Sequence, residues 1–246
     1  MWHDLHNELF FRSGSDKIQL AILHPQKLAI YAVSKLPGQV EHGSQFKVTL
    51  YYEHQLKRHA YNMCVGPFGH DTNPPDPKTK SNKSTRDFIC VQSLDGTLSF
   101  FEQEVFTFSR YLPGFLLPGA LAYVPVWDSF LTACSWNLQC FKYSAIAMSK
   151  DSNGNDKTND SKQLQDTAVG KRLTSEWNFF IGEEPIGDLQ VLQDEQSPNE
   201  TTIIVATFRH IFCIGISAQL VWSKRLDYQI STMHAFKSKN AKIILW

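Results

Sequence analysis

RDFICVQSLDGTLSFFEQEVFTFSRYLPGFLLPGALAY, residues Arg86 to Tyr123, alternates short apolar runs with turn chemistry. Phe88 to Gln92 is an apolar run, Asp95-Gly96 readily takes φ > 0, and Thr97 to Phe101 climbs back, which together predict a β-hairpin. A third strand is predicted at Val105 to Tyr111, where Val, Phe, Phe and Tyr fall at alternate or near-alternate positions. Pro113-Gly114 and Pro118-Gly119 then punctuate a sharply folded connection. Turn chemistry and the short period exclude helix here.

The same unit recurs. Ile18 to Leu23 returns through His24-Pro25-Gln26 into Lys27 to Val33, and Phe130 to Cys134 returns through Ser135-Trp136-Asn137 into Leu138 to Tyr143. Ile203 to Thr207 returns through Phe208-Arg209 into His210 to Ile216. Further strands are predicted at Phe46 to Tyr52, Ala60 to Val65, Leu121 to Pro125, Leu173 to Phe180, Ile186 to Leu192 and Leu220 to Arg225. From Ile89 to Phe130 the spacing is 41 residues, close to the roughly 40 to 50 of one four-stranded propeller blade. An eight-stranded sandwich would share the local signals but not that spacing. The fold class expected is therefore all-β, a partial β-propeller of about four to five blades of mainly four-stranded antiparallel sheets. Residues 1–15 find no place in this repeat, and residues 16–246 form the propeller domain.

Two polar insertions interrupt it, Asp71 to Thr85 (71–85) and Ser149 to Gly170 (149–170), both nearly free of large apolar residues. With so little to bury they cannot offset the entropy of ordering and are expected to be surface loops. They are not domain linkers, because the same unit continues on both sides.

Composition narrows the partners. The 246 residues carry 24 Lys+Arg against 24 Asp+Glu, so the formal net charge is zero and no nucleic-acid footprint is suggested. No apolar run approaches the roughly 20 residues of a membrane span, and MWHDLHNELFF lacks the pattern of a signal peptide. A cytoplasmic location is expected. The five cysteines, Cys64, Cys90, Cys134, Cys140 and Cys213, mostly sit among apolar strand residues and read as reduced core side chains.

No chemical constellation survives inspection. Cys134 and Cys140 have poor spacing for zinc, and no Cys-x-x-Cys occurs. His42, His54, His59 and His70 are dense, yet His54 and His59 fall on opposite sides of a strand in a mixed-charge segment, so they read as solvated. Asp151, Asn153 and Asn155 imitate a calcium loop, but Asp156 and Lys162 stand where Gly and Glu are required. Serine-hydrolase, phosphate-loop and zincin motifs are lacking. Asn82, Asn159 and Asn199 match the glycosylation pattern by chance in polar loops. Glu183 and Glu184, with Asp188 nearby, form the one acidic cluster, but a Gly-Glu-Glu-Pro turn is expected to hold its carboxylates unperturbed in water. The basic doublets Lys171-Arg172 and Lys224-Arg225 read as solvated strand edges.

Four segments carry a specific resemblance: Glu41 to Met63, Asp87 to Glu104, Arg110 to Tyr123 with its double Pro-Gly motif, and Asp128 to Trp136. They resemble the N-terminal propeller of the Bardet-Biedl syndrome 9 family, also called the parathyroid-hormone-responsive B1 family. The similarity runs from about Lys17 to about Phe236, and Gly170 to Asp188 restores the register after the second insertion. The resemblance implies a non-catalytic scaffold subunit of the BBSome, a coat-like complex that carries membrane proteins to and from the primary cilium. Its implied partners are other BBSome subunits and, through the complex, ciliary membrane-protein cargo and an Arf-like small GTPase. The implied locations are the cytoplasm, the ciliary base, the centrosome and centriolar satellites, and the cilium. No cofactor, metal site or catalytic residue is implied. Family members are longer, so the propeller is expected to be incomplete at both ends, to expose apolar residues around Ile243 to Trp246, and to self-associate when made alone.

Two other readings compete. A peptide-binding propeller of another trafficking or signalling complex would show an exposed aromatic-lined groove. A hydrolase-type propeller would need several Asp, Glu or His side chains converging from the innermost strands; the innermost candidates, such as FICVQ and FLTAC, carry too few charges.

Shortening either insertion to a few Gly-Ser residues is expected to leave urea-unfolding stability nearly unchanged, because loop closure varies by only about 0.6 kcal/mol per doubling of length. A loss of several kcal/mol would show that the insertion packs against the sheets.

Overall fold

The computed structural model describes residues 8–14, 17–36, 46–69, 86–112, 118–149, 173–182, 184–193, 201–215, 217–236 and 244–245. Four four-stranded sheets with antiparallel pairing follow one another along the chain. The first contains β1 (Glu8–Gly14), β2 (Lys17–His24), β3 (Lys27–Lys35) and β4 (Phe46–Gln55). The second contains β5 (Ala60–Gly66), β6 (Phe88–Ser93), β7 (Thr97–Glu102) and β8 (Val105–Tyr111). The third contains β9 (Leu121–Val124), β10 (Ser129–Cys134), β11 (Asn137–Lys142) and β12 (Trp177–Phe180). The fourth contains β13 (Asp188–Leu192), β14 (Thr202–Ala206), β15 (His210–Ile214) and β16 (Leu220–Arg225). Two short strands, β17 (Ala235–Phe236) and β18 (Ile244–Leu245), pair with each other beyond them.

The sheets touch in sequence through their first strands: β1 meets β5, β5 meets β9, and β9 meets β13. This is the arrangement of propeller blades, with the first strand of each blade innermost. Every predicted hairpin is therefore the second and third strand of a blade, and the hairpin from Phe88 to Phe101 lies wholly in the second blade with Asp95-Gly96 at its turn. Gly96 has φ 82°, the left-handed conformation that the turn needs.

Three sequence expectations change. Glu8–Gly14, left unplaced in residues 1–15, pairs with β2 as the innermost strand of the first blade. The innermost strands of the second and third blades are β5 and β9, not FICVQ and FLTAC, which belong to β6 and β10. Tyr143 does not end a strand: it opens helix α1 (Tyr143–Met148), its N–H donating to Asp128 O at 2.8 Å. Of the insertions, 71–85 and 150–170 lie outside the described residues, as do Ile243 and Trp246, whereas Ser149, expected at the exposed start of the second, is buried and its Oγ donates to Ile146 O at 2.9 Å.

Packing follows strand parity. In β6, Ile89 and Val91 face the first blade while Cys90 faces the third. In β10, Phe130 faces the second blade and Leu131 the fourth. Between the second and third blades Phe68 is fully buried, its ring centroid 4.6 Å from Tyr123, 4.8 Å from Phe130 and 6.0 Å from Phe100. All five cysteines are free thiols, and four are buried in the core as expected, with Cys134 half-buried. Gly119 of the second Pro-Gly lies against the third blade so closely that a Cβ would stand 2.3 Å from Ala133 O.

Carboxylates fasten the blades to one another. Asp87 Oδ2 accepts from Arg12 N at 2.8 Å, and Asp87 N donates back to Arg12 O at 2.9 Å. Asp128 Oδ1 accepts from Gly69 N at 2.9 Å and from Tyr123 Oη at 2.7 Å. Both residues stand immediately before the second strand of their blade, 41 positions apart. Asp16 holds the same sequence position before β2 but lies outside the described residues.

Replacing Asp128 with Ala leaves Gly69 N–H without its acceptor and the Tyr123 hydroxyl with only the longer 3.5 Å contact to Pro67 O. The expected cost is about 2 kcal/mol in urea unfolding, and a change below about 0.5 kcal/mol would show that water replaces the carboxylate.

Candidate interaction surfaces

Acidic and basic side chains on the innermost strands β1, β5, β9 and β13 are few: Glu8, Arg12 and Asp188. Asp188 Oδ1 accepts from its neighbour Leu189 N at 2.7 Å and its Oδ2 from Met233 N at 3.1 Å, so both oxygens hold backbone. Among the described residues no group of three or more His, Cys, Asp or Glu side chains is placed to hold a metal ion. No helix of the described residues is long and apolar enough to cross a membrane.

The predicted acidic cluster divides. Glu183 lies outside the described residues, whereas Glu184 is engaged, contrary to the expectation of a carboxylate idle in water. Its Oε2 accepts from Thr207 Oγ1 at 2.5 Å and from Arg209 N at 2.9 Å, and stands 3.2 Å from His210 Nδ1. The Thr207 hydrogen bond is the largest cause, with Arg209 N–H and His210 adding to it against the opposing effect of burial, and the carboxyl is lowered from 4.5 to about 2. Such a group stays anionic at neutral pH and neither gives nor takes a proton usefully.

His54 is not simply solvated. Its ring centroid lies 4.8 Å from that of Phe101, and its Nε2–H donates to Gln103 O at 3.1 Å, tying the first blade to the β7–β8 turn of the second. From that turn Gln103, at φ 53°, donates through Nε2 to Ser13 O at 2.7 Å. His59 is exposed, with a ring nitrogen 3.4 Å from Gln26 Nε2. His42, His70, Lys171 and Arg172 lie outside the described residues, and Lys224 and Arg225 are exposed on edge strand β16 as expected.

Thiol chemistry is suppressed. Cys90 stands opposite Cys64 across the β5–β6 ladder. Burial first, then the neighbouring Cys64 thiol, pushes Cys90 well up, and burial takes Cys140 up to about 12. Neither forms the thiolate that a nucleophile or ligand requires.

What the surface does offer is apolar area on the outermost strands. On β4, Phe46, Val48, Leu50 and Tyr51 are exposed; on β8, Val105, Phe106 and Tyr111; on β16, Leu220, Val221 and Trp222. Phe46 is 60 % and Val105 62 % exposed. An outermost strand has one free edge and little cover, and apolar side chains repeated there mark contact area for other chains. A groove of about 440 Å³ lies between the first and second blades, lined by His54, Leu56, Lys57, Arg58, Phe101 and Phe106 among others.

Comparison with known proteins agrees with this frame. The PTHB1 N-terminal family model matches residues 7–244. Protein PTHB1 of Xenopus laevis is 40 % identical over 94 % of this chain, and Protein PTHB1 of Mus musculus is 41 % identical over 90 %. The matched regions cover 25 % and 23 % of those proteins, so this chain spans about a quarter of the length of its curated relatives. A crystal structure of BBS1N in complex with ARL6DN has a similar fold, with a TM-score of 0.52 at 10 % identity, over 92 % of this chain and 70 % of that one.

The Glu184 cluster sets an acid-range dependence. Because its folded-state value is depressed, its contribution is fully present above about 4.5 and is lost as pH falls towards about 2. Glu184→Gln is expected to be less stable than the parent by about 1–2 kcal/mol at pH 7. That difference should shrink steadily when unfolding is measured between pH 5 and pH 2.5, and a difference independent of pH would refute the assignment.

Proposed function

This chain belongs to the PTHB1 N-terminal family, and from that premise we propose that it serves as a non-catalytic scaffold portion of the BBSome, the coat-like complex that traffics membrane proteins to and from the primary cilium. The observation that carries the reading is the exposed apolar side chains repeated on β4, β8 and β16. Rigid blades hold these residues in fixed relative positions, which suits recognition by area. Side chains that could do chemistry support the same reading: Asp87, Asp128 and Glu184 accept backbone N–H groups, and four of the five cysteines are buried thiols.

The partners in this proposal are the other BBSome subunits, met directly. Ciliary membrane-protein cargo and an Arf-like small GTPase are reached indirectly through the complex, and the protein works in the cytoplasm, at the ciliary base and centriolar satellites, and in the cilium. Binding to an Arf-like GTPase is not transferred from the BBS1N structure, whose 10 % identity carries the fold alone. A second reading, a peptide-binding propeller of another complex, is favoured by the groove beside Phe101 and Phe106.

The test uses the full-length protein in ciliated cells, with Phe46→Glu/Leu50→Glu on β4, Val105→Glu/Phe106→Glu on β8, and Leu220→Glu/Val221→Glu on β16. These positions are exposed, so folding stability should move by no more than about 0.5 kcal/mol per substitution. At least one pair is expected to reduce co-purification of the other BBSome subunits by tenfold or more. Unchanged co-purification for all three pairs would remove the outer strands from the interface, and loss of a bound peptide with the β8 pair alone would favour the second reading.

A further inference from the structure

Two rows of side chains face each other between the second and third blades. Across the second blade the register runs Asn62, Gln92, Leu98, Arg110, one residue from each strand. Across the third it runs Leu121, Thr132, Gln139, Asn178. Leu98 and Leu121 belong to the same apolar cluster, which puts both rows on the facing sides of the two sheets. At the inner end Asn62 Nδ2 donates to Gly119 O at 2.9 Å. At the outer end Arg110 Nη2 donates to Ala147 O of α1 at 3.2 Å, so the helix lies over the opening.

The rows carry polar groups where the neighbouring layer is aromatic. Gln92 and Thr132 are each 0 % exposed. Asn62 Oδ1, Gln92 Oε1, Gln92 Nε2, Thr132 Oγ1 and Gln139 Oε1 have no hydrogen-bond partner in the protein. Held dry, five such groups would cost about as much as the whole net stability of a domain. Among the described residues, the cluster between the third and fourth blades, built on Val124, Leu131, Leu189 and Ile203, has no such buried atom. The unmatched atoms of Asn62, Gln92, Thr132 and Gln139 are neutral and include acceptors, an amide donor and a hydroxyl that does both, while the cationic Arg110 at the outer end of the row has its guanidinium held by Ser109 O and Ala147 O. A ligand for it must both donate and accept, carry no charge, and be small enough to sit between packed sheets.

We propose that this seam is a binding site for a row of ordered water molecules that bridge Asn62 and Gln92 of the second blade to Thr132 and Gln139 of the third. The two blades then join by an aromatic layer around Phe68 and, beside it, a hydrated polar layer. Each water satisfies two or more groups that make no hydrogen bond to one another, which is the usual role of buried water.

The test compares the 246-residue chain with Thr132→Val and Gln92→Leu/Thr132→Val variants. Long-lived internal waters are counted by oxygen-17 magnetic relaxation dispersion, and Tm is measured alongside. The parent is expected to hold more long-lived waters than the double variant. Thr132→Val is expected to lower Tm by about 2–4 °C or more, since a bridged hydroxyl is lost. An equal water count, or a Tm raised by Thr132→Val, would overturn the proposal, because a dry unpaired hydroxyl gains from becoming a methyl group. If the double variant does not fold, a crystal structure of the parent decides: waters within hydrogen-bond distance of Gln92 and Thr132 support the site, and direct contact between their side chains refutes it.

Discussion

The second strands of the second, third and fourth blades, β6, β10 and β14, are buried on both faces, so every second residue must satisfy a different neighbour. Ile203 and Val205 of β14 pack towards the third blade, while Ile204 and Ala206 pack the other way. The same division holds for Ile89, Cys90 and Val91 in β6. Apolar area removed from water supplies most of the stabilisation, at roughly 25 cal/mol per Å². Shape then decides the fit: Phe68 stacks in a nest of rings from Phe88, Phe100, Tyr123, Phe130 and Tyr143, drawn from two blades and the helix. A sheet that slipped by one residue would present its polar rows to both neighbours at once.

Around that packing, polar side chains act mainly as fasteners. Asp87 and Asp128 carry backbone N–H groups from the preceding blade, and Glu184 gathers a hydroxyl, an N–H and an imidazole within its own blade. The Glu184 carboxylate so engaged is stabilised in its charged form and is withdrawn from acid–base chemistry. Among the exposed apolar side chains, those repeated on the outermost strands β4, β8 and β16 stand on a rigid base. This division between inward fastening and outward contact suits the scaffold role proposed above.

Much of this was legible in the chain. A strand buried on both sides reads as a continuous apolar run, and Asp95-Gly96 or Ser135-Trp136-Asn137 marks the return, so all four hairpins were visible. The innermost strands were harder. An innermost strand has only part of its surface covered, so β1, ELFFRSG, looks mixed and carries a weak strand signal, whereas the more apolar β6 and β10 read as inner strands. The fastening aspartates had a signal that went unused: each precedes the first core residue of its hairpin by two, and Asp87 and Asp128 repeat the 41-residue spacing of Ile89 and Phe130. Glu184 had none, because Thr207 and His210 are more than twenty positions away.

By itself the sequence determined the four hairpins, their grouping into a repeated unit, the burial of four of the five cysteines and, through the double Pro-Gly and its flanks, the family. Those properties depend on local turn chemistry and on a period of two, which are written along the chain. Only the tertiary structure decided which strand of each blade lies inside, which neighbour each apolar residue meets, and that Asn62 and Gln92 look across at Thr132 and Gln139. Alternation says that successive side chains part to opposite faces; the identity of the sheet that waits on each face is set by how the blades stack.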